Sequence, residues 1–168
     1  MEDFQVIFKR GSIRKFKNKK VEKEKIQQIL DAGFAAPSAI NLRPYHFIVL
    51  DDRELMDKIA MTSRGKKVLL KAPIGIAVCG DLNINSHMEF VMNDTSACIE
   101  NMLLAIHGLG LGGCWLGQRR NETDDIVKEL LGLPDGIFIS GFIAVGYPDE
   151  EKIQPNRFDE TKIHHNKW

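Results

Sequence analysis

Apolar residues recur along Met88–Gly117 with a spacing that organises the rest of the chain. Val91, Thr95, Cys98, Met102, Ala105 and Leu109 fall on the stripe of an amphipathic helix, and Ile99, Leu103 and Ile106 form a second stripe beside it. By the last two turns almost no polar face is left, so the pattern predicts a helix buried on more than one side. Its length and the polar residues at its start (Asn93, Asp94, Glu100, Asn101) exclude a membrane span. Gly108, Gly110, Gly112 and Gly113 end the helix, and Cys114-Trp115-Leu116 resumes as a short extended piece closing on Gly117.

Shorter patterns flank this centre. Phe4, Ile7 and Phe8 predict a short N-terminal helix ending near Lys9, followed by an extended Arg10–Phe16. Glu22–Phe34 reads as a helix with Ile26, Ile29, Leu30 and Gly33 inside, broken at Ala36-Pro37-Ser38 because the residue before a proline avoids helical backbone. His46–Leu50 is a β-branched run suited to a buried strand, Arg53–Met61 a second amphipathic helix, and Ile74–Cys79 a second strand. Basic residues gather between them at Arg64, Lys66, Lys67 and Lys71. Asn121 or Thr123 is placed to cap a helix through Ile126, Val127, Leu130 and Leu131 that Gly132 stops. Ile137–Val145 is the fourth strand, loosened by Gly141. The last twenty residues are polar and aperiodic, either disordered or laid along a partner, with Trp168 favouring a docked end. Helices alternating with short strands predict a mixed α/β protein with helices on both faces of one sheet.

Composition narrows the function classes. The 168 residues suit one domain, 1–168, and the 43% hydrophobic and 27% charged contents are ordinary for a globular chain. A formal net charge of zero argues against a bulk field for nucleic acid or anionic membrane. Without a signal-peptide pattern the expected location is cytoplasmic. Three scattered cysteines, Cys79, Cys98 and Cys114, have no ligand spacing and read as reduced and buried. His164-His165 lacks further ligands, so no metal is expected.

Three stretches carry candidate chemistry. In an extended segment Arg10, Ser12 and Arg14 point to one side, where two guanidiniums and a hydroxyl suit a phosphate. A solvated basic N-terminus is the competing reading, and Lys15, Lys17, Lys19 and Lys20 look like such a surface run. Ala36–Asn41 combines small residues, a rigidifying proline and short polar side chains, able to approach a flat ligand edge. Gly113–Gly117 offers backbone N–H groups, with the Trp115 side chain expected in the core. The glycines 108–113 follow a helix instead of opening one, which removes a Rossmann loop, and no nucleophile-elbow, Walker or zinc-protease motif occurs. His107 is expected to be a satisfied core histidine.

Taken together, these stretches resemble the FMN-dependent nitroreductase family. The family's Arg-x-Ser-x-Arg/Lys is met by Arg10, Ser12 and Arg14, and its Ala-Pro-Ser-x-x-Asn-x-Gln-Pro-Trp by Ala36, Pro37, Ser38, Asn41 and Pro44. Gly110–Gly117 meets its Gly-Leu-Gly-x-Cys-Trp-x-Gly run, and Asp94 and Gly146-Tyr147-Pro148 also fit. The resemblance implies an α+β fold: a three-layer α/β/α arrangement with a mainly antiparallel central sheet, in an intertwined homodimer. Residues 149–168 would form an extension wrapping the partner, and each FMN site would draw on both subunits. Arg10, Ser12 and Arg14 would hold the phosphate and ribityl end, with Gly11 in the same motif and Arg157 completing the phosphate shell. Pro37, Ser38 and Ala39 of the other subunit, with Asn41 in their loop, would back the isoalloxazine. Trp115, Leu116 and Gly117 would present backbone to the ring edge, and a lysine near Lys67 would sit by the pyrimidine edge.

The implied activity is two-electron, ping-pong transfer from NADH or NADPH to a nitroaromatic or quinone-type acceptor. The flavin carries such chemistry, so no catalytic side chain is required. A flavin-binding module, or other flavin chemistry such as ene reduction or dehalogenation, is the alternative. Arg43 and Tyr45 stand where the family usually has Gln and Trp, and Pro155-Asn156-Arg157 replaces its Lys-x-Arg.

Overall fold

The apolar runs become four strands: β1 (Tyr45–Leu50), β2 (Ile74–Asp81), β3 (Gly112–Gly117) and β4 (Ile137–Gly146). In the computed structural model, which describes residues 4–118 and 122–168, they hydrogen-bond in the order β1–β2–β4–β3, every pair antiparallel. β2 is buried at all eight positions, as a central strand covered on both faces must be, which is why it reads as a continuous apolar run. A bulge lies where Val78 faces Gly141 and Cys79 faces Ile139, leaving Ser140 as the extra residue. The slack expected at Gly141 is thus taken up one residue earlier. Ser140 Oγ accepts a 2.7 Å hydrogen bond from Thr95 Oγ1, so the bulge is tied to the central helix.

The described residues form five α-helices: α1 (Gln5–Lys9), α2 (Lys23–Phe34), α3 (Arg53–Met61), α4 (Met88–Gly108) and α5 (Glu122–Leu131). α2 and α4 cover one face through Ile29, Ile99, Met102 and Ile106 packed on Ile76, Val78, Ile143 and Val145. α3 and α5 cover the other through Met56, Ile59 and Val127 on Ala77, Cys79, Phe142 and Ala144. The result is three layers with an antiparallel middle, as the family resemblance implies. The suggested caps of α5, Asn121 and Thr123, lie outside what is described there. Among the described residues no helix is long and apolar enough to cross a membrane.

One element was not foreseen. The basic run Arg64–Leu70 winds as a 3-10 helix, whose three-residue period brings Lys66 and Leu69 onto one face. Both are buried, so a basic run contributes two side chains to the interior.

α4 ends on a Schellman cap. Gly110 has φ +72°, and the N–H groups of Gly110 and Leu111 reach back to the carbonyls of His107 and Ile106 at 3.0 and 2.9 Å. The chain then enters β3 at Gly112, where a Cβ would stand 2.8 Å from the Ile13 side chain. Gly110 needs its backbone freedom, whereas Gly112 needs its missing side chain. Gly110→Ala, which meets open space, is expected to cost ~1–2 kcal/mol through the left-handed backbone alone. Gly112→Ala is expected to cost ~1–3 kcal/mol by overpacking and to loosen the N-terminal segment. Denaturant midpoints measure the first, and amide exchange at Ile13 separates the second from it.

Candidate functional site

β3 is an edge strand, and the N-terminal segment closes part of that edge. Ser12 bridges Gly113 in parallel, and the Ile13 N–H donates to the Gly113 carbonyl at 2.9 Å. Ile13 is buried against Gly112. With residue 13 turned inward, alternation puts residues 10, 12 and 14 together on the outer side. Cys114 registers the convergence. Burial pushes its thiol up, while Arg14, the Ser12 hydroxyl and Arg10 pull it the other way.

Gly113 directs its backbone outward to Ile13, so the strand's two-residue period turns the backbone of Trp115 and Gly117 to the same edge, beyond the bridge at Ser12. A Cβ at Gly117 would meet nothing within 4 Å. Leu116 is buried on the opposite face. The Trp115 side chain is 39% exposed and lies over Gly141, where a Cβ would come within 2.6 Å of its Nε1. The expectation of a core tryptophan is therefore corrected: the small residue facing it lets the indole lie on the sheet surface.

The segment's other side is clasped by the chain leaving β4. Lys17 N–H donates to the Tyr147 carbonyl and Asp149 N–H to the Lys15 carbonyl, both at 2.9 Å. Glu150 Oε1 accepts from the N–H groups of Arg14 and Lys15 at 2.6 and 3.2 Å. Those donors, the Arg14 N–H foremost, and the Lys152 ammonium hold the Glu150 carboxyl below its usual range despite partial desolvation. Gly11 lies against Gln154, and the Gln154 amide oxygen accepts from Arg157. Arg10 and Arg157 consequently line one cavity of about 500 Å³, shared with Phe8 and Asn156. Arg10 also pairs with Glu100 of α4 at 3.5 Å. Glu100, Glu150 and Gln154 were missed in the sequence, because no periodicity marks them. Glu150 and Gln154 matter because the tail returns alongside residues 10–17, and Glu100 because α4 passes beside Arg10. His107 is half-buried beside this cluster, its pKa lowered by burial and by Arg10 and Lys9.

The loop after α2 is built under strain. Ile40, Asn41 and Arg43 have φ of 44°, 59° and 52°, a conformation that β-branched isoleucine rarely adopts. Ser38 Oγ accepts from Arg43 N–H at 2.9 Å, Arg43 Nε donates to Asn41 Oδ1 at 3.0 Å, and Ala39 N–H donates to Asp94 Oδ1 at 2.9 Å. The Tyr45 hydroxyl donates to the Phe34 and Ala36 carbonyls at 3.3 Å, pinning the end of α2. Among the described residues Asp94 Oδ2 is buried without a hydrogen-bond partner. Ala39 thus docks at Asp94, whereas Gly113 packs at Leu103 and Ile106, which stand 9 and 12 residues further along α4. That is roughly 14–18 Å at 1.5 Å per residue for Gly113, and about 9 Å for Arg10, which meets α4 at Glu100, so one chain sets Pro37–Asn41 apart from Arg10–Arg14 along the helix.

Of the two adjacent lysines, Lys67 is exposed and Lys66 is 1% exposed. Lys66 Nζ donates to Thr62 Oγ1 at 3.0 Å and lies 5.6 Å from the Phe142 ring centre. Burial lowers its pKa, with Asp124 acting against that.

Comparison with known proteins finds relatives over nearly the whole chain. The nitroreductase family model matches residues 7–66 and 60–147. An Archaeoglobus fulgidus protein named "Putative NADH dehydrogenase/NAD(P)H nitroreductase" is 37% identical over 172 residues, covering 99% of each chain. An FMN-dependent nitroreductase from Clostridium difficile R20291 superposes with a TM-score of 0.90 at 35% identity, over 97% of this chain and 98% of that one. An NADPH:FMN oxidoreductase from Vibrio harveyi, solved with NAD+, gives a TM-score of 0.89 at 26% identity, over all of this chain and 78% of that one. By its matched length, its relatives and its fold, the chain belongs to the nitroreductase family.

Proposed function

We propose that the protein is a homodimeric, FMN-dependent NAD(P)H oxidoreductase that reduces nitroaromatic or quinone-type acceptors by two-electron, ping-pong transfer. The observation that carries this reading is the placement of Arg10 and Arg157 on one cavity, with Arg10 in the segment that bridges β3 through Ser12 and Gly113. The donor set fits FMN. Two guanidiniums suit a phosphate dianion, Ser12 adds a hydroxyl, and the outward backbone of Trp115 and Gly117 suits the hydrogen-bonding edge of a planar ring. Bound FMN supplies the hydride chemistry that links a nicotinamide to an acceptor.

The protein's part is binding and electrostatics. Arg10 and Arg157 anchor the phosphate, and Glu100 keeps Arg10 directed toward the cavity. Backbone donors at Trp115 and Gly117, with the Arg14 guanidinium nearby, favour negative charge on the bound ring. Either Lys67 or the buried Lys66 adds a cation to that environment. Pro37, Ser38, Ala39 and Asn41 of the partner subunit cover the ring and exclude water, their strained loop held in shape by Asp94. Other flavin chemistry, such as ene reduction or dehalogenation, would use the same binding residues with a different acceptor.

Exposed apolar surface supports the dimer. Phe4, Ile7 and Phe8 of α1 are 58%, 52% and 69% exposed, and Ala97 and Leu104 leave one side of α4 half-covered. In the tail Phe158 is exposed and Trp168 stacks on His164 alone, at 4.3 Å between ring centres. A second copy covering these residues gives the aperiodic tail its role. Sedimentation equilibrium should then return twice the 19.0 kDa chain mass, and deletion of Asp159–Trp168 should shift the protein toward monomer.

The function is tested by the anaerobic visible spectrum. A flavin band that bleaches with NADH or NADPH and recovers on adding a quinone or nitroaromatic is the expected result. A band that persists with both reductants would favour a binding module, and a colourless protein that refuses FMN would overturn the reading. Arg10→Gln should weaken FMN about 10- to 100-fold, as loss of a charged hydrogen bond does, with riboflavin affinity little changed.

Glu150 gives the site a pH dependence of defined sign. Its folded pKa is lowered from 4.5, so the clasp contributes in full above that value and is lost as pH falls through the lowered one. Amide protection at Arg14 and Lys15 should collapse across that acid range, and in Glu150→Gln it should be weak at neutral pH and flat.

A further inference from the structure

A second cavity, of about 450 Å³, opens on the α3/α5 face against β1 and β2, lined in part by the turn after α5. β1 and β3 are the two edges of the sheet, so strand spacing alone puts roughly 14 Å between β1 and the edge that meets the N-terminal segment. The register pairs His46 with Cys79, which brings both side chains to this face, and His46 Nε2 lies 3.1 Å from Asp81 Oδ2. Cys79 forms the floor. It is fully buried and burial pushes its thiol up to about 12, so it serves as an apolar surface and not as a nucleophile. Ile48, Leu131, Leu133 and Ile137 make half-buried aliphatic walls.

The rim is preformed. Leu82 N–H donates to the Gly136 carbonyl at 2.9 Å, and Asn83 Nδ2 donates to the Asp135 carbonyl at 3.1 Å. Gly136, at φ +82°, lets the turn close onto the Asn83 amide, where any Cβ would collide. Asn83 N–H donates to Asp81 Oδ1 at 2.8 Å. Asp81 is only 8% exposed. Burial pushes its carboxyl up, but the hydrogen bonds from His46 and Asn83 outweigh that and hold it below the usual range, so it stays anionic at neutral pH. Its two oxygens offer about four acceptor positions; His46 and the Asn83 N–H take one each and the Asn83 side chain also acts on the carboxylate, which leaves room for one further donor. Among the described lining residues Asp81 and Asp135 are acidic, and none is lysine or arginine.

An apolar cavity of ligand size, with convergent polar groups at one end and acidic lining unopposed by lysine or arginine, has a defined complement. We propose that this cavity binds a small organic monocation: an aliphatic or aromatic body lying on Ile48, Leu131, Leu133 and Ile137, with a primary ammonium donating to the Asp81 carboxylate. The site is separate from the β3 edge and stands whether or not the oxidoreductase reading does.

The test is an amide NMR titration of the full-length purified protein with tryptamine, and with tryptophol as its uncharged counterpart. Tryptamine is expected to give saturable shifts at Ile48 and Leu133–Asp135 while leaving the flavin absorbance unchanged. Tryptophol should bind at least about tenfold more weakly, and Asp81→Asn should cost tryptamine a similar factor, as a charged hydrogen bond implies. Leu133→Trp, which fills the cavity without touching the Asp81 rim, should abolish the shifts. Because Asp81 also holds Asn83, the tryptophol comparison and Leu133→Trp decide the matter should Asp81→Asn fail to fold. No saturable shifts, equal affinity for the two probes, binding that survives Leu133→Trp, or displacement of flavin by tryptamine would each overturn the proposal.

Discussion

The capture of the N-terminal segment by the edge of β3 is the constraint on which the rest of the candidate flavin site depends. It rests on a missing side chain. Because Gly112 has no Cβ, Ile13 can be buried against the strand, and the Ile13 N–H reaches the Gly113 carbonyl. Inward burial of one residue forces its neighbours outward, which is how a hydrophobic contact comes to aim Arg10, Ser12 and Arg14. The Schellman cap at Gly110 matters for the same reason, since it sets where α4 stops and β3 starts.

Electrostatics in this chain is local. The formal net charge is zero, yet guanidiniums collect at one cavity because two stretches 147 residues apart in sequence lie side by side. Carboxylates hold them in place. Glu150 accepts backbone N–H groups rather than pairing with the arginines, which aligns the segment and leaves the Arg14 guanidinium free of it. Glu100 does pair with Arg10, orienting it at the expense of some positive potential. Toward the other edge of the sheet, Asp81 sits beside His46 in a cavity whose described lining holds no lysine or arginine, where the proposed site would have the opposite sign.

The loop Pro37–Pro44 is the clearest departure from relaxed local geometry. Three non-glycine residues in the left-handed region cost energy that only surrounding bonds can offset, here from Asp94, Ser38 and Asn41. Such a loop presents Ile40 almost fully to solvent in the single chain. Strain and exposure together are what an element shaped for another molecule would show, and they support the proposal that this loop covers a flavin of the partner subunit.

Much of this was legible from residues alone, and for local reasons. Strands and helices followed from apolar periods, because burial on one face or two writes a period of two, of 3.6, or none. The glycine stops and the proline break after α2 were readable in the same way, since backbone chemistry at those positions does not depend on distant partners; the roles of Arg10, Ser12, Pro37, Ser38 and Gly117 came from the family resemblance and belong to the proposed site. What the tertiary structure alone decided were the matters of long-range neighbourhood. The 3-10 winding of Arg64–Leu70 came from burying Lys66 and Leu69, against the polarity of the run. The Trp115 indole lies at the surface over Gly141, its diagonal neighbour across β3 and β4. The roles of Glu100, Glu150 and Gln154, and the pairing of His46 with Asp81, arise from contacts spanning 35 to 143 residues, which no local pattern encodes.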